Sequence, residues 1–231
     1  MSSQSREAAV VTGAASGIGA ACARMLRQNG YSVASLDKRK SRDADLSIKL
    51  DVRDSGAVDD AFTTCENSLG PVTALVTAAG YYERIPFLEL TPHQWQQIYD
   101  VLVGGTLNCI YSAASRMSKR RAGAICTIGS ELALCGAPDS VHYATAKGAV
   151  HGMSAALAAE LGLAGIRLTC IAPGPTDTPL MTTEMRDPAY IESLPLKRLV
   201  SPEEIAAAVR LAIGGRLLHG RIISPNAGAV I

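Results

Sequence analysis

The chain has 231 residues, 48% of them hydrophobic and 19% charged, which suits one globular domain with a two-sided core and argues against long disorder. Its 22 Lys and Arg nearly cancel its 21 Asp and Glu, so no net field recruits nucleic acid or an anionic membrane, and neither is expected as a partner. The six cysteines are widely spaced, with no C-x-x-C pair and no nearby histidine at ligand spacing; they read as reduced core residues, and no metal site is expected.

The first seven residues lack the apolar stretch of a signal peptide, and no run of about 18 apolar residues follows. The expected location is therefore the cytoplasm. Short apolar runs then alternate with longer segments of helical period to the end of the chain, the pattern of repeated βαβ units. Strands are predicted at 8–12, 31–36, 46–51, 73–77, 124–128, 167–171 and 221–224, and helices near 17–29, 55–69, 92–118, 142–163 and 202–213. Gly30 and Gly70 sit where helix-terminating glycines belong, and Ser201-Pro202-Glu203-Glu204 is a capping box with proline at the first helical position. The fold class is α/β: a single doubly wound domain over residues 1–231, a seven-stranded parallel sheet with helices on both faces.

Directly after the first strand comes Thr12-Gly13-Ala14-Ala15-Ser16-Gly17-Ile18-Gly19, opening a helix. Glycines let the backbone turn sharply and approach a pyrophosphate, and the helix start offers N–H groups and the positive end of its dipole. This is a Rossmann-type dinucleotide cradle, with phosphate expected over Gly17, Ile18 and Gly19. Asp37 ends the second strand, where a carboxylate accepts hydrogen bonds from ribose hydroxyls and repels a 2′-phosphate. NAD is expected over NADP, although Lys38 and Arg39 follow at once. The basic runs at 38–40 and 119–121 read as solvated charge.

Tyr143 and Lys147 stand one helical turn apart, so phenol and ammonium converge on one helix face. A phenol is a poor base at neutral pH; a neighbouring ammonium together with the positive nicotinamide ring is expected to lower its pKa into a usable range. Ser130 follows the fifth strand, at a carboxyl end where parallel-sheet ligands collect. Residues 174–200 hold four prolines and no clean period, and are expected to form a substrate lid within the domain.

On these motifs the chain resembles the short-chain dehydrogenase/reductase family over nearly its whole length: residues 12–19 fit T-G-x-x-x-G-x-G, and Tyr143 and Lys147 fit Y-x-x-x-K with Ser130 as the preceding serine. The resemblance implies cofactor roles for Gly13, Ser16, Gly17, Ile18, Gly19 and Asp37, with Asp51 and Val52 at the adenine. It implies Ala79 and Gly80 near the ribose, Pro173, Gly174 and Thr178 against the nicotinamide, and Tyr143 and Lys147 touching both cofactor and chemistry. The family's N-N-A-G motif is Thr77-Ala78-Ala79-Gly80 here, and Leu102 stands where the family carries an asparagine that holds a relay water. The ending at 225–231 also departs from the family's aspartate-glycine-glycine.

The implied function is hydride transfer between NAD(H) and a secondary alcohol or ketone, with Tyr143 as acid/base, in a homotetramer or homodimer joined through the helices near 92–118 and 142–163 and the last strand. Leu102 keeps a second reading in view, a catalytically silent dinucleotide-binding module. The substrate rim is expected from Tyr81, Tyr82, 131–133, Pro138, His142, Met181 and Met185.

Overall fold

In chain order the strands are β1 (Ala8–Thr12), β2 (Ser32–Asp37), β3 (Leu46–Lys49), β4 (Val72–Thr77), β5 (Gly123–Ile128), β6 (Ile166–Ile171) and β7 (Ile222–Ile223). The helices are α1 (Gly17–Gln28), α2 (Ser55–Leu69), α3 (Pro92–Tyr99), α4 (Gly105–Arg120), α5 (Leu132–Cys135), α6 (Val141–Gly162), α7 (Pro188–Ser193) and α8 (Pro202–Gly214). They come from a computed structural model that describes residues 7–229. Residues 1–6, part of the stretch read for a signal peptide, and residues 230–231 of the divergent ending lie outside the described residues.

All seven strands are parallel, in the order β3-β2-β1-β4-β5-β6-β7. The order reverses between β1 and β4, and a crevice opens there at the carboxyl ends, where ligands of doubly wound sheets bind. Alternation along β1 shows why both faces need covering. Ala9 and Val11 join the core under α1 and α8, while Ala8 and Val10 join the core under α2 and α4. Fully buried Leu26 and Ile205 anchor the first face, Phe62 and Met117 the second, and burying such a side chain contributes roughly 1.5–3 kcal/mol. Among the described residues no helix is long and apolar enough to cross a membrane.

The helix expected over 92–118 is interrupted. Between α3 and α4 the backbone makes a π-helical turn over Asp100–Gly104, and the Gly105 N–H bonds the Asp100 carbonyl. Two consecutive glycines hold the α-helical register weakly, which allows the extra residue. Four further differences are smaller. β3 stops at Lys49 and β7 keeps two residues. The short helix α5 forms after β5, and α7 forms inside 174–200, where Pro188 starts it and Asp187 accepts the Ala189 N–H at 2.7 Å. The ends of that segment are tied by a bridge between Thr176 and Val200. The capping box of α8 is as expected: Ser201 Oγ accepts the Glu204 N–H at 3.2 Å and Glu204 accepts the Ser201 N–H at 2.8 Å.

Candidate active site

A cleft of about 740 Å³ runs along the carboxyl edge of the sheet. Its wall includes Gly13, Ser16, Gly17, Ile18, Gly19, Asp37, Asp51, Val52, Ala79, Gly80, Ser130, Tyr143, Lys147, Pro173, Gly174 and Thr178. Every residue singled out for cofactor or catalysis therefore borders one space. Of the expected rim, Tyr81, Tyr82, Glu131, Leu132, Met181 and Met185 line it, whereas Ala133, Pro138 and His142 do not. His142 is buried at the start of α6 instead.

The glycine loop is held at both ends. Thr12 Oγ1 accepts the Ala79 N–H at 3.0 Å, and the Gly13 N–H bonds the Leu36 carbonyl at 2.9 Å, which ties β1 to both neighbours at the switch point. The first turn of α1 carries no acidic residue, so its partial positive charge faces the cleft uncancelled. A Cβ on Gly19 would lie 2.3 Å from the Gly13 carbonyl oxygen, so only glycine lets the helix start press this close to the loop. Gly19→Ala is expected to force the two apart and weaken dinucleotide binding at least about tenfold, measured by quenching of NADH fluorescence. An unchanged dissociation constant would count against the cradle.

Asp37, at the end of β2, accepts the Ala15 N–H at 3.0 Å and the Arg39 N–H at 2.8 Å. The Arg39 guanidinium reaches across to Ser16 Oγ at 2.8 Å. Asp51 pairs with Arg53 at 2.7 Å and Lys38 at 2.9 Å, and these cations hold its carboxyl well below the usual carboxylate range. Lys38 and Arg39 are exposed, as read from sequence, and each also has a defined partner at the cleft mouth. Sequence reasoning also passed over Asn108, whose Nδ2 donates to the Val52 carbonyl at 3.0 Å, and Ser41, whose hydroxyl donates to the Ala14 carbonyl at 2.8 Å. Neither lies in a recognisable motif, and only the fold brings them to these loops.

Ser130, Tyr143 and Lys147 meet where β5 ends and α6 begins its cleft-facing side. The Leu132 N–H donates to Ser130 Oγ at 3.2 Å, which leaves the serine proton for the phenol beside it. Lys147 Nζ donates to the Ile128 carbonyl at 2.7 Å and lies 5.8 Å from the Tyr143 ring centroid. One turn further along α6, His151 Nε2 accepts the Ser130 N–H at 3.4 Å, a long contact that still locates the serine backbone. Tyr82 meets Tyr143 edge to face at 4.8 Å, and its hydroxyl hydrogen-bonds Ser140 Oγ at 2.8 Å.

The electrostatics depart from expectation. Burial pushes Tyr143 up to about 12, with the Ser130 hydrogen bond working in the opposite direction. Burial likewise brings Lys147 down to about 8. The ammonium does not rescue the phenol because it is turned to a main-chain carbonyl and is itself dehydrated. Leu102, 1% exposed, belongs to an apolar cluster with Ile98, Tyr143 and Ala146. A Cβ on Gly80 would lie 2.7 Å from Leu102 Cδ2, so this leucine fills the space behind the tyrosine and adds no polar atom. Among the described residues, no group of three His, Cys, Asp or Glu side chains is placed to hold a metal ion. The arrangement suits proton exchange with a polarised oxygen, next to a cradle for a long phosphate-bearing ligand.

Comparison with known proteins agrees with that chemistry. Residues 7–189 match the family described as short chain dehydrogenase. The chain is 31% identical to a 2,3-dihydro-2,3-dihydroxybenzoate dehydrogenase of Bacillus subtilis, over 91% of this chain and 90% of that protein. It is 31% identical to a galactitol 2-dehydrogenase of Rhizobium johnstonii, over 96% of this chain and 94% of the other. A 3-oxoacyl-(acyl-carrier-protein) reductase of Mycobacterium avium is 32% identical, over 96% and 86% respectively.

Proposed function

The chain belongs to the short-chain dehydrogenase family, and from that premise we propose that it interconverts a small secondary alcohol and its ketone with NAD(H), using Tyr143 as the acid/base. The observation that carries this reading is the meeting of Ser130, Tyr143 and Lys147 in the same cleft as the glycine cradle. A binding module would use the cradle and the ribose contacts of Tyr143 and Lys147, but gains nothing from a serine hydroxyl set against the phenol.

The cofactor's fit rests on the cradle that a Cβ at Gly19 would fill and on the carboxylate at the end of β2. Gly13, Ser16, Gly17, Ile18 and Gly19 would hold the pyrophosphate, Asp37 the adenosine ribose, Asp51 and Val52 the adenine, and Ala79 and Gly80 the adjoining ribose. Pro173, Gly174 and Thr178 would flank the nicotinamide, with Tyr143 and Lys147 on its ribose. When bound, the nicotinamide supplies the hydride acceptor or donor and, oxidised, a positive charge. Ser130 and Tyr143 orient the substrate oxygen; in reduction the phenol gives its proton to that oxygen, and in oxidation the alcohol proton passes to a tyrosinate that forms only when a positive charge beside it offsets its burial. Lys147, held on the Ile128 carbonyl, keeps an ammonium behind the phenol. Leu102 contributes nothing to the proton's exit, which leaves Ser130 and Lys147 as the polar groups adjoining Tyr143.

Residues 174–200 act as the lid: Thr178, Met181, Met185 and Tyr190 face the cleft, and Arg186 braces the segment through Asp177 at 2.6 Å and the Thr178 carbonyl at 2.7 Å. The protein works as a homotetramer or homodimer in the cytoplasm, with exposed Leu107 and Tyr111 of α4 in the subunit contact. Asp37 supports NAD over NADP.

Turnover of a panel of secondary alcohols, followed as NADH absorbance, tests the reading. Conversion with NAD⁺ is expected at a kcat/KM at least about tenfold above that with NADP⁺, a gap that Asp37→Ser should narrow. NADH binding without any conversion would instead favour the silent module, and a preference for NADP⁺ would overturn the cofactor assignment.

A further inference from the structure

Glu131 follows Ser130 directly and is 6% exposed. Its N–H bonds the Pro173 carbonyl at 3.0 Å, which joins the loop after β5 to the loop after β6 on either side of the cleft. The side chain lines that cleft, and its Oε2 has no hydrogen-bond partner among the described residues. No cation offsets its burial, which pushes its carboxyl up to about 7. It stands next to Ser130 in that wall, near enough to Tyr143 and to Tyr190 of α7 for both to feel its charge.

Enclosing a carboxyl oxygen with no donor among the described residues is costly. Around it the wall carries Tyr82, Leu132, Met181, Met185 and Tyr190, which suits a compact carbon frame. Directly beside Ser130, Glu131 sets a carboxyl in that wall, while Glu83 and Gln97 also border the cleft. A substrate lacking a donor leaves it unpaired, and a substrate carboxylate at that place is repelled.

We propose that Glu131 selects substrates bearing a second hydroxyl on the carbon next to the reacting carbinol: a vicinal diol in oxidation, the matching α-hydroxyketone in reduction. The proposal rests on the oxidoreductase reading above and names its substrate class. Ser130 and Tyr143 hold the reacting oxygen, and the neighbouring hydroxyl donates to the Glu131 carboxyl. A hydroxyl fits better than an ammonium here. An ammonium brings three donors that must be stripped of water to enter this wall, whereas a hydroxyl brings one donor for the unpaired carboxyl oxygen and is cheaper to bury.

Matched pairs test this: cyclohexanol against cis-1,2-cyclohexanediol, and 2-butanol against 2,3-butanediol, each with NAD⁺ and with NADH binding measured alongside. The wild-type protein is expected to favour the diols about 10- to 100-fold in kcat/KM, the range for a hydrogen bond to a buried carboxyl. Glu131→Leu should bring the ratio close to 1 through a rise in KM for the diols, and Glu131→Gln, which keeps an acceptor, should retain part of it. A merely structural role would lower both members of a pair equally and leave the ratio unchanged, which overturns the proposal. So does a wild-type protein that turns over the mono-alcohols with no diol preference, or one that prefers 1-amino-2-propanol to 1,2-propanediol. If NADH binds and neither member of any pair is converted, the oxidoreductase reading fails first and this one with it.

Discussion

Tyr143→Phe is expected to lose at least roughly a thousandfold in kcat, within the span of general acid–base catalysis, while NADH binding weakens by no more than about tenfold, the worth of one ribose hydrogen bond. The substitution removes one oxygen. The ring keeps its edge-to-face contact with Tyr82 and its place beside Leu102 and Ile98, so the fold changes by no more than about 1 kcal/mol, the worth of the hydrogen bond to Ser130. What disappears is a phenol oxygen that, among the described residues, is held beside the serine by a ring locked in packing. Because burial holds the phenol up to about 12 in the protein alone, tyrosinate should be absent from this position at neutral pH. A difference titration of tyrosine absorbance between wild type and Tyr143→Phe should therefore show no contribution from this residue below about pH 11. Normal turnover by the phenylalanine protein would sink the proposed role.

Lys147→Met is expected to lose at least about a hundredfold in kcat/KM, as for removal of a preorganised charged donor, yet to fold about as stably as wild type near neutral pH. Two effects oppose each other there. Losing the bond to the Ile128 carbonyl costs about 1–3 kcal/mol. Removing a buried ammonium whose pKa burial has brought from 10.5 to about 8 relieves on the order of 3 kcal/mol.

The pH dependence separates these two effects. Below pH 8 both folded and unfolded chains carry the Lys147 proton and the penalty is constant. Between about 8 and 10.5 the unfolded chain keeps the proton while the folded chain releases it, so stability rises with pH over that window. The wild-type minus Lys147→Met difference in unfolding free energy should thus climb by on the order of 3 kcal/mol between pH 8 and 10.5. A flat difference across urea melts in that range would show that the ammonium is not buried.

The glycine loop and its helix were legible from sequence because they depend on a few adjacent residues: small side chains where the backbone turns, then a 3.6-residue period. The same holds for α8, whose capping box is local, and for the Tyr143–Lys147 pair, one turn apart on α6. The π-helical turn was not legible. Gly104 and Gly105 announce a weak helix, but whether it breaks, kinks or inserts a residue depends on what α3 and α4 each pack against. Arg39 and Lys38 looked like solvent charge because their partners, Ser16 and Asp51, lie on other strands' loops.

By itself, then, the sequence determined the alternation of strands and helices, the glycine loop, and which side chains are candidates for proton chemistry, since each is written in short stretches of chain. Only the tertiary structure decided how those side chains behave. Lys147 turns to a carbonyl of β5, Tyr143 is dehydrated against Leu102, and Glu131 is enclosed with no donor among the described residues. Solvation and partnership are set by segments distant in sequence, and a pKa or a binding preference follows from them rather than from residue type.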